Sequence, residues 1–313
     1  MTQTLIALCA ALLLDQLLGE PARWHPLVGY GRLAERTERI FNADRRWPAT
    51  GAGAGAGIAG ALALLLLLVP PTLIIALLVK YAPFPVLIET LVLYLTLGGR
   101  SLAQHADQVR HALATGKTQE ARHFTSYLVS RDTSAMSERD MSGAVIESTL
   151  ENGCDAVFAP LFWFVIGGAP AALFYRLANT LDAMWGYRTK RYVHFGRAAA
   201  RLDDVLNFVP ARLTALTYAL TGRFKNAITC WRTQAPAWKS PNAGPVMSSG
   251  AGALMLQLGG PALYHGDLQQ RPALGRGQIP QQSDIKRATR LLHRSIIVWT
   301  TATLLIFGGL SLA

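Results

Sequence analysis

Cysteine is scarce: three occur in 313 residues, Cys9, Cys154 and Cys230, and none stands at a paired spacing from another. No CxxC or HxxxH pattern accompanies them, which argues against a disulfide framework and a structural zinc site. The chain also lacks a GxxxxGK[ST] loop and a GxGxxG turn after a strand, so any nucleotide it uses is held outside those standard cradles. Neither β-type alternation nor a repeat of fixed period runs through it, which leaves a mainly α fold. Acidic residues are few, 19 against 30 Lys and Arg, for a net charge of +11. In a soluble chain that excess would suggest a nucleic-acid partner. The hydropathy pattern points elsewhere, and no nucleic acid is expected.

Long apolar sequence is plentiful. Gly51 to Val69, the pair Leu73 to Val79 and Val86 to Leu97, and Ser295 to Ala313 are too long and apolar for a water-soluble fold, with Glu89 the one charge in their cores. Leu5 to Leu18 is apolar too. It holds Asp15 and lacks a basic leader and a small-residue cleavage site, so it is expected to remain as a first helix. Basic residues gather at 23–46, 100–139, 176–239 and 271–294, whereas Lys80 is the only one between Trp47 and Gly99. With the basic clusters on the cytoplasmic side, 51–69 and 84–97 form a membrane hairpin whose connection, 70–83, lies on the far side. A basic inner surface also attracts anionic, phosphorylated substrates.

Small residues alternate over 51–57, which suits close packing of a membrane helix on a neighbour. Ala156 to Ile166 and Ala171 to Leu181, joined by Gly167-Gly168-Ala169-Pro170, are each too short to cross a hydrocarbon core of about 30 Å. Basic clusters flank both ends, so a re-entrant hairpin is favoured over one kinked span. The expectation is a polytopic integral membrane protein, mainly α, with about four to five embedded segments. It is read as a single domain over 1–313 with a polar helical insertion at 99–150.

Candidate chemistry lies between Ser130 and Asn242. Glu147, Glu151 and Asp155 recur every four residues, so a helix stacks three carboxylates on one face beside Asn152. Such a column persists cheaply if it is solvated, or neutralised by Arg, Lys or a divalent cation. Asn179 with Asp182 forms a second polar set, and Asp203, Asp204 and Asn207 a third, followed by Arg212. Carboxylates at membrane depth usually face a cavity or a partner, so the three sets could converge on a metal and phosphate site; separate helix ends in water are an equally good reading of the residues alone. Arg131, Arg188, Lys190, Arg191, Arg197 and Arg201 lie near these acids in sequence and suit phosphate or carboxylate recognition, though they equally mark the cytoplasmic side. Ser240-Pro241-Asn242-Ala243-Gly244 reads as a turn at a helix entry.

Several runs together resemble the CobD/CbiB family. They are Ser130-Arg131-Asp132-Thr133-Ser134, Glu151-Asn152-x-x-Asp155, Ala159 to Trp163, Asn179 to Asp182, Arg201 to Asp204, Pro210 to Thr214 and Ser240 to Gly244. Leu14-Asp15, Gly19-Glu20-Pro21 and His25-Pro26 resemble the family's opening, so the likeness covers most of residues 12–260. Ala156 and Pro245 depart from the pattern, which bears on substrate detail more than on membership.

The resemblance implies an adenosylcobinamide-phosphate synthase, a multi-pass enzyme of the inner membrane with its active site on the cytoplasmic side. Such an enzyme joins (R)-1-aminopropan-2-ol or its O-phosphate to the propionate carboxyl of adenosylcobyric acid, with ATP and Mg²⁺ as the implied driver. Other membrane-bound late corrinoid enzymes are implied partners. On this reading Glu151, Asp155, Asp182, Asp203 and Asp204 are catalytic, with Asp155, Asp182, Asp203 and Asp204 holding the metal. Ser130, Arg131, Asp132, Asn152, Asn179, Lys190, Arg191, Asn207, Arg212, Ser240 and Asn242 are expected to bind substrate or phosphate. The competing readings are an AmpE-like membrane regulator and a Mg²⁺-dependent prenyl or phosphoryl transferase.

Overall fold

A computed structural model describes residues 2–21, 25–42, 53–264 and 267–310. The first two residues of the Gly-Ala stretch (51–52) and the last three of the C-terminal run (311–313) lie outside the described residues. The described chain is overwhelmingly helical and divides into two compact units, each assembled from separate stretches. Among the described residues, four helical runs are long and apolar enough to cross a membrane: Gly55–Tyr81, Pro85–Ala114, Glu138–Trp185 and Gln282–Gly309. The shorter apolar helix Thr2–Leu18 joins them, and the chain is a polytopic membrane protein.

The first unit comprises Met1–Gly98 and Ala159–Asn207. It contains α1 (Thr2–Leu18), α2 (Pro26–Phe41), α3 (Gly53–Tyr81), α4 (Pro85–Thr96), α8 (Ala159–Trp185) and the beginning of α9 (Arg197–Thr221). Where the sequence predicts a connection from residue 70, α3 instead runs unbroken through Pro70 and Pro71, and the turn is confined to residues 82–84. The prolines remove two N–H donors. Lipid offers the surrounding apolar backbone no alternative partner, however, so the helix persists across them. Leu65, Leu66, Val69, Leu73 and Ile74 on either side are about half exposed, as side chains facing acyl chains would be.

The close packing expected over 51–57 is found just beyond that stretch, at Gly60. A side chain at Gly60 would collide with the Phe195 backbone, whereas nothing lies near Gly55. Leu64, Leu67 and Leu68 of the same helix share a core with Tyr175, Leu181, Trp185, Phe195 and Leu206. Trp185 and Phe195 meet edge to face at 5.0 Å.

The helical run Glu138–Trp185 spans 48 residues, which at 1.5 Å each would be roughly 70 Å, more than twice a bilayer core. Two interruptions divide it. A π-helical turn occupies Cys154–Phe158, and the predicted Gly-Gly break is present at Gly167–Gly168, where Gly168 adopts φ 66°, ψ −161°. A non-glycine residue is strained there, and its Cβ would also come within 3.0 Å of the Glu89 carboxylate.

The second unit comprises Gly99–Phe158 and Phe208–Ala313. It holds α5 (Gly99–Ala114), α6 (Thr118–Ser126), α7 (Glu138–Gly153), the rest of α9, α10 (Phe224–Gln234), α11 (Ala243–Leu254) and α12 (Gln282–Leu310). A capping box starts α7: the Ser137 hydroxyl accepts the Asp140 N–H (3.2 Å) while the Ser137 N–H donates to the Asp140 carboxylate (3.2 Å). From Met141 to Leu150 every residue of α7 is buried. Tyr218 of α9 packs against Phe158 and donates its hydroxyl to the Leu150 carbonyl (3.0 Å), and Ser249 of α11 donates to the Ala215 carbonyl (2.6 Å).

Among the described residues, four short strands lie between α11 and α12, an element the sequence pattern does not reveal. Leu258–Gly259 (β1) pairs antiparallel with Ala273–Leu274 (β4), and Ala262–Tyr264 (β2) with Asp267–Gln269 (β3). Two- and three-residue strands are too short for alternation to register in sequence.

Candidate functional site

The family-like motifs fall into two groups, one in each unit. In the second unit, Asp132 N–H donates to the Leu263 carbonyl (3.2 Å), which ties the Ser130-Arg131-Asp132 run to β2. The Ser134 N–H and hydroxyl both donate to Asp132 Oδ1 (2.9 and 2.7 Å), and these bonds hold that carboxyl below its ordinary range. The turn leaves Arg131 directed at Glu147 of α7. Arg271 approaches the same carboxylate from the segment before β4, with Nη1 2.8 Å from Oε2 and Nη2 3.3 Å from Oε1. Gly259 of β1 donates its N–H to Oε1 at 2.8 Å.

Glu147 therefore bonds to two guanidinium groups and a backbone amide while its side chain is only 4% exposed, against 11% for each arginine. This cluster carries a net positive charge of its own and lines a cavity of about 560 Å³ together with Asp132, Arg139, Asp140 and the Gly259–Gly260 backbone. Gly259 has φ 77°, and a Cβ there would strike the Pro272 carbonyl, so only glycine places its N–H on the carboxylate. The column of three acids is thus resolved by arginine at its first member. Its register then shifts, because the π turn inserts an extra residue per turn beginning at Cys154 and takes Asp155 out of the four-residue repeat. Glu151 and Asp155 are half-buried, and Asn152 bonds within the helix to Ser148.

Two other motifs meet in this unit. Arg212 Nη1 donates to Asn242 Oδ1 (2.6 Å) and Nη2 to the Pro241 carbonyl (3.0 Å), with the guanidinium stacked 3.7 Å over the Phe208 ring. Ser240 accepts the N–H groups of Asn242 and Ala243 (3.3 and 3.2 Å), closing the predicted turn at the entry of α11.

In the first unit, Asn179 and Asn207 grip Asp203: Asn179 Nδ2 donates to Oδ1 (3.1 Å) and Asn207 Nδ2 to Oδ2 (3.0 Å), while Tyr175 donates to Asn207 Oδ1 (2.9 Å). Burial pushes the Asp203 carboxyl up, the two amides oppose that shift, and neighbouring Asp204 adds to it. Asp204 lines a separate cavity of about 420 Å³ with Arg188, Arg197 and Arg201. Burial raises its carboxyl as well, and Arg188 opposes. The Asp182 carboxylate lies against Gly186. Lys190 is exposed. Arg191, expected at a phosphate, instead closes on buried Glu38 with Nε 3.0 Å and Nη2 2.7 Å from its two oxygens, and Asn42 bridges Glu38 and the Arg191 carbonyl. A carboxylate with almost no contact with water needs a cation, and the guanidinium fork supplies it.

Asp203→Asn separates structure from chemistry at this cluster. The unfolded chain loses its Asp203 proton first as pH rises past the ordinary aspartate value of about 3.9. Folded stability is therefore full below that value and declines until pH passes the raised folded value. Thermal unfolding across pH should show that the asparagine variant loses this decline. A decline equal to that of the parent protein would reject the assignment.

Among the described residues, no group of three or more His, Cys, Asp or Glu side chains is gathered to hold a metal ion. Asp203, one of the four carboxylates expected as ligands, already accepts an amide on each oxygen. This donor set does not form a resident cage. A Mg²⁺ arriving with substrate phosphates would need only one or two of these carboxylates.

The residues define a class first: a polytopic helical membrane protein with buried arginine–carboxylate and asparagine–aspartate clusters. A family model described as CobD/Cbib protein matches residues 8–292. Three similar proteins each bear the name cobalamin biosynthesis protein CobD. The one from Chromobacterium violaceum is 54% identical, covering 94% of both chains, and the one from Stutzerimonas stutzeri is 53% identical, covering 97% of both. The Mycobacterium tuberculosis protein is 38% identical over 89% of this chain and 88% of its own. No solved structure matches. The chain belongs to the CobD/CbiB family and is a protein of cobalamin biosynthesis.

Arg271 was not among the residues expected to bind or react, and Glu147 stood there only as the first of three stacked carboxylates. Arg271 appears in sequence only as one member of a basic stretch; its flanking signal is the Gly259-Gly260-Pro261 and Arg271-Pro272 pair of turns.

Proposed function

We propose that the chain condenses (R)-1-aminopropan-2-ol or its O-phosphate with the propionate carboxyl of adenosylcobyric acid, at the cytoplasmic face of the inner membrane. The observation that carries this reading is the cavity beside Arg131, Glu147 and Arg271, whose wall contains Arg131 and Asp132 of the family-like run. Its volume of about 560 Å³ falls within the roughly 300–1,000 Å³ of small-ligand sites. It suits a phosphorylated small amine or the phosphate chain of a nucleotide, whereas a corrinoid could present only an edge.

A carboxylate acylates an amine only after one oxygen becomes a leaving group, which ATP carried with Mg²⁺ would supply by phosphorylation. The protein's own part is positional and electrostatic. Arg131 and Arg271 keep guanidinium N–H groups beyond those given to Glu147 for phosphoryl oxygens, and Glu147 makes their closeness tolerable. Both Glu147 oxygens are engaged, so it holds the arginines in place and does not serve as a base. The relatives' names lend no support to the regulator or prenyl-transferase readings.

The test supplies membranes containing the protein with adenosylcobyric acid, ATP, Mg²⁺ and each form of the amine, and follows products by mass. Formation of adenosylcobinamide or its phosphate, with ADP released one for one, is the expected result. Folded protein that makes neither from either amine would overturn the proposal.

A further inference from the structure

A second charged cavity of the second unit, about 640 Å³, lies where α9 ends, α11 ends and the first half of α12 passes. Arg223, Arg287, Arg290 and Arg294 line it, and no carboxylate does. Arg287 is held by Asp284 (2.6 Å). Arg223, Arg290 and Arg294 are exposed and form no ion pair among the described residues. Arg287, Arg290 and Arg294 are spaced three and four apart, which brings them to one face of α12. Thr221 and Ser295 share a hydrogen bond of 2.8 Å, fixing the end of α9 to α12 beside the cavity.

The surroundings indicate what this charge faces. Immediately after Arg294, α12 becomes apolar with Ile297, Leu305 and Ile306 exposed, and Gln282–Gly309 is long and apolar enough to cross a membrane. Just before Arg223, α9 exposes Leu213, Leu216 and Leu220 at helical spacing. Two lipid-suited faces thus end at one arginine-lined cleft. That is the level at which a bilayer changes from acyl chain to phosphate, and where basic pockets take anionic headgroups.

We propose that this cleft binds the headgroup phosphate of an anionic phospholipid, whose acyl chains lie along the exposed apolar faces of α9 and α12. The shared chemistry is a phosphate anion, and the exposed apolar residues of α9 and α12 beside the cleft select lipid over free phosphate as its source.

Delipidated full-length protein in neutral detergent is titrated with phosphatidylglycerol and with phosphatidylcholine, and bound lipid is counted by native mass spectrometry. The parent protein should prefer phosphatidylglycerol. Each arginine near the headgroup contributes about fivefold, so R290Q/R294Q should weaken phosphatidylglycerol binding roughly 25-fold. Arg223→Gln, on a different helix end, should cost about fivefold, while R290K/R294K keeps the charge and most of the affinity. Undiminished phosphatidylglycerol binding by R290Q/R294Q and Arg223→Gln overturns the proposal. Displacement of the lipid by inorganic pyrophosphate also overturns it and assigns the cleft to a soluble phosphate.

Discussion

Glu147→Ala is expected to destabilise the protein by roughly 3–5 kcal/mol, the usual cost of removing one partner from a buried ion pair. The carboxylate faces Arg131, Arg271 and the Gly259 N–H at once, so its loss leaves two cations side by side and an amide without an acceptor. Neither arginine can swing freely into water. Arg271 donates Nε to the Gly260 carbonyl (3.0 Å) and packs over Trp238 (5.5 Å), and Arg131 is as deeply placed. Glu147→Gln should be nearly as damaging, since its amide group would turn a donor toward one of three donors. Formate or acetate added to the alanine variant should restore part of the loss by refilling the gap. Thermal and denaturant unfolding in detergent provide the measurement. A variant as stable as the parent would mean that the cluster is solvated and that the cavity wall is not held by it.

The second large effect concerns activity. Arg131→Ala should lower the rate of amide formation by about 10²–10³, the range found when one preorganised donor is removed from a site of developing charge. Arg131→Lys should recover only part of it, because an ammonium group keeps the charge but not the two-pronged geometry. A purely structural role predicts a different pattern. It would lower the unfolding temperature of both variants and leave the kcat of the surviving folded protein intact, so kcat and stability are to be measured on the same preparations. Full kcat in folded Arg131→Ala protein would remove that residue from the reaction.

Much of the architecture is legible in the chain because hydropathy and small-residue patterning are local properties. The apolar runs, the Gly-Gly break at 167–168 and the helix of the C-terminal run follow from composition over short windows. Persistence of α3 through Pro70 and Pro71 does not, since a Pro-Pro pair signals a turn in water and only the lack of competing partners in lipid reverses that. The polar residues were recognisable as a set without being assignable to roles. Asn179, Asp203 and Asn207 do meet, as do Arg212 and Asn242. Arg191, by contrast, is taken by Glu38, 153 residues earlier in the chain. Nothing near either residue in sequence signals that pairing.

Sequence alone determined that this is a helical membrane protein with its cationic groups concentrated between and beside the spans, because the free energy of placing a side chain in lipid or water depends on that side chain and its immediate neighbours. Tertiary structure decided which charges neutralise one another. It brought Arg271 and the Gly259 amide to Glu147 across more than a hundred residues and left Arg223, Arg290 and Arg294 exposed, with no acid beside them among the described residues. Electrostatic energy depends on distance through space and on local burial, and neither is written in the order of residues.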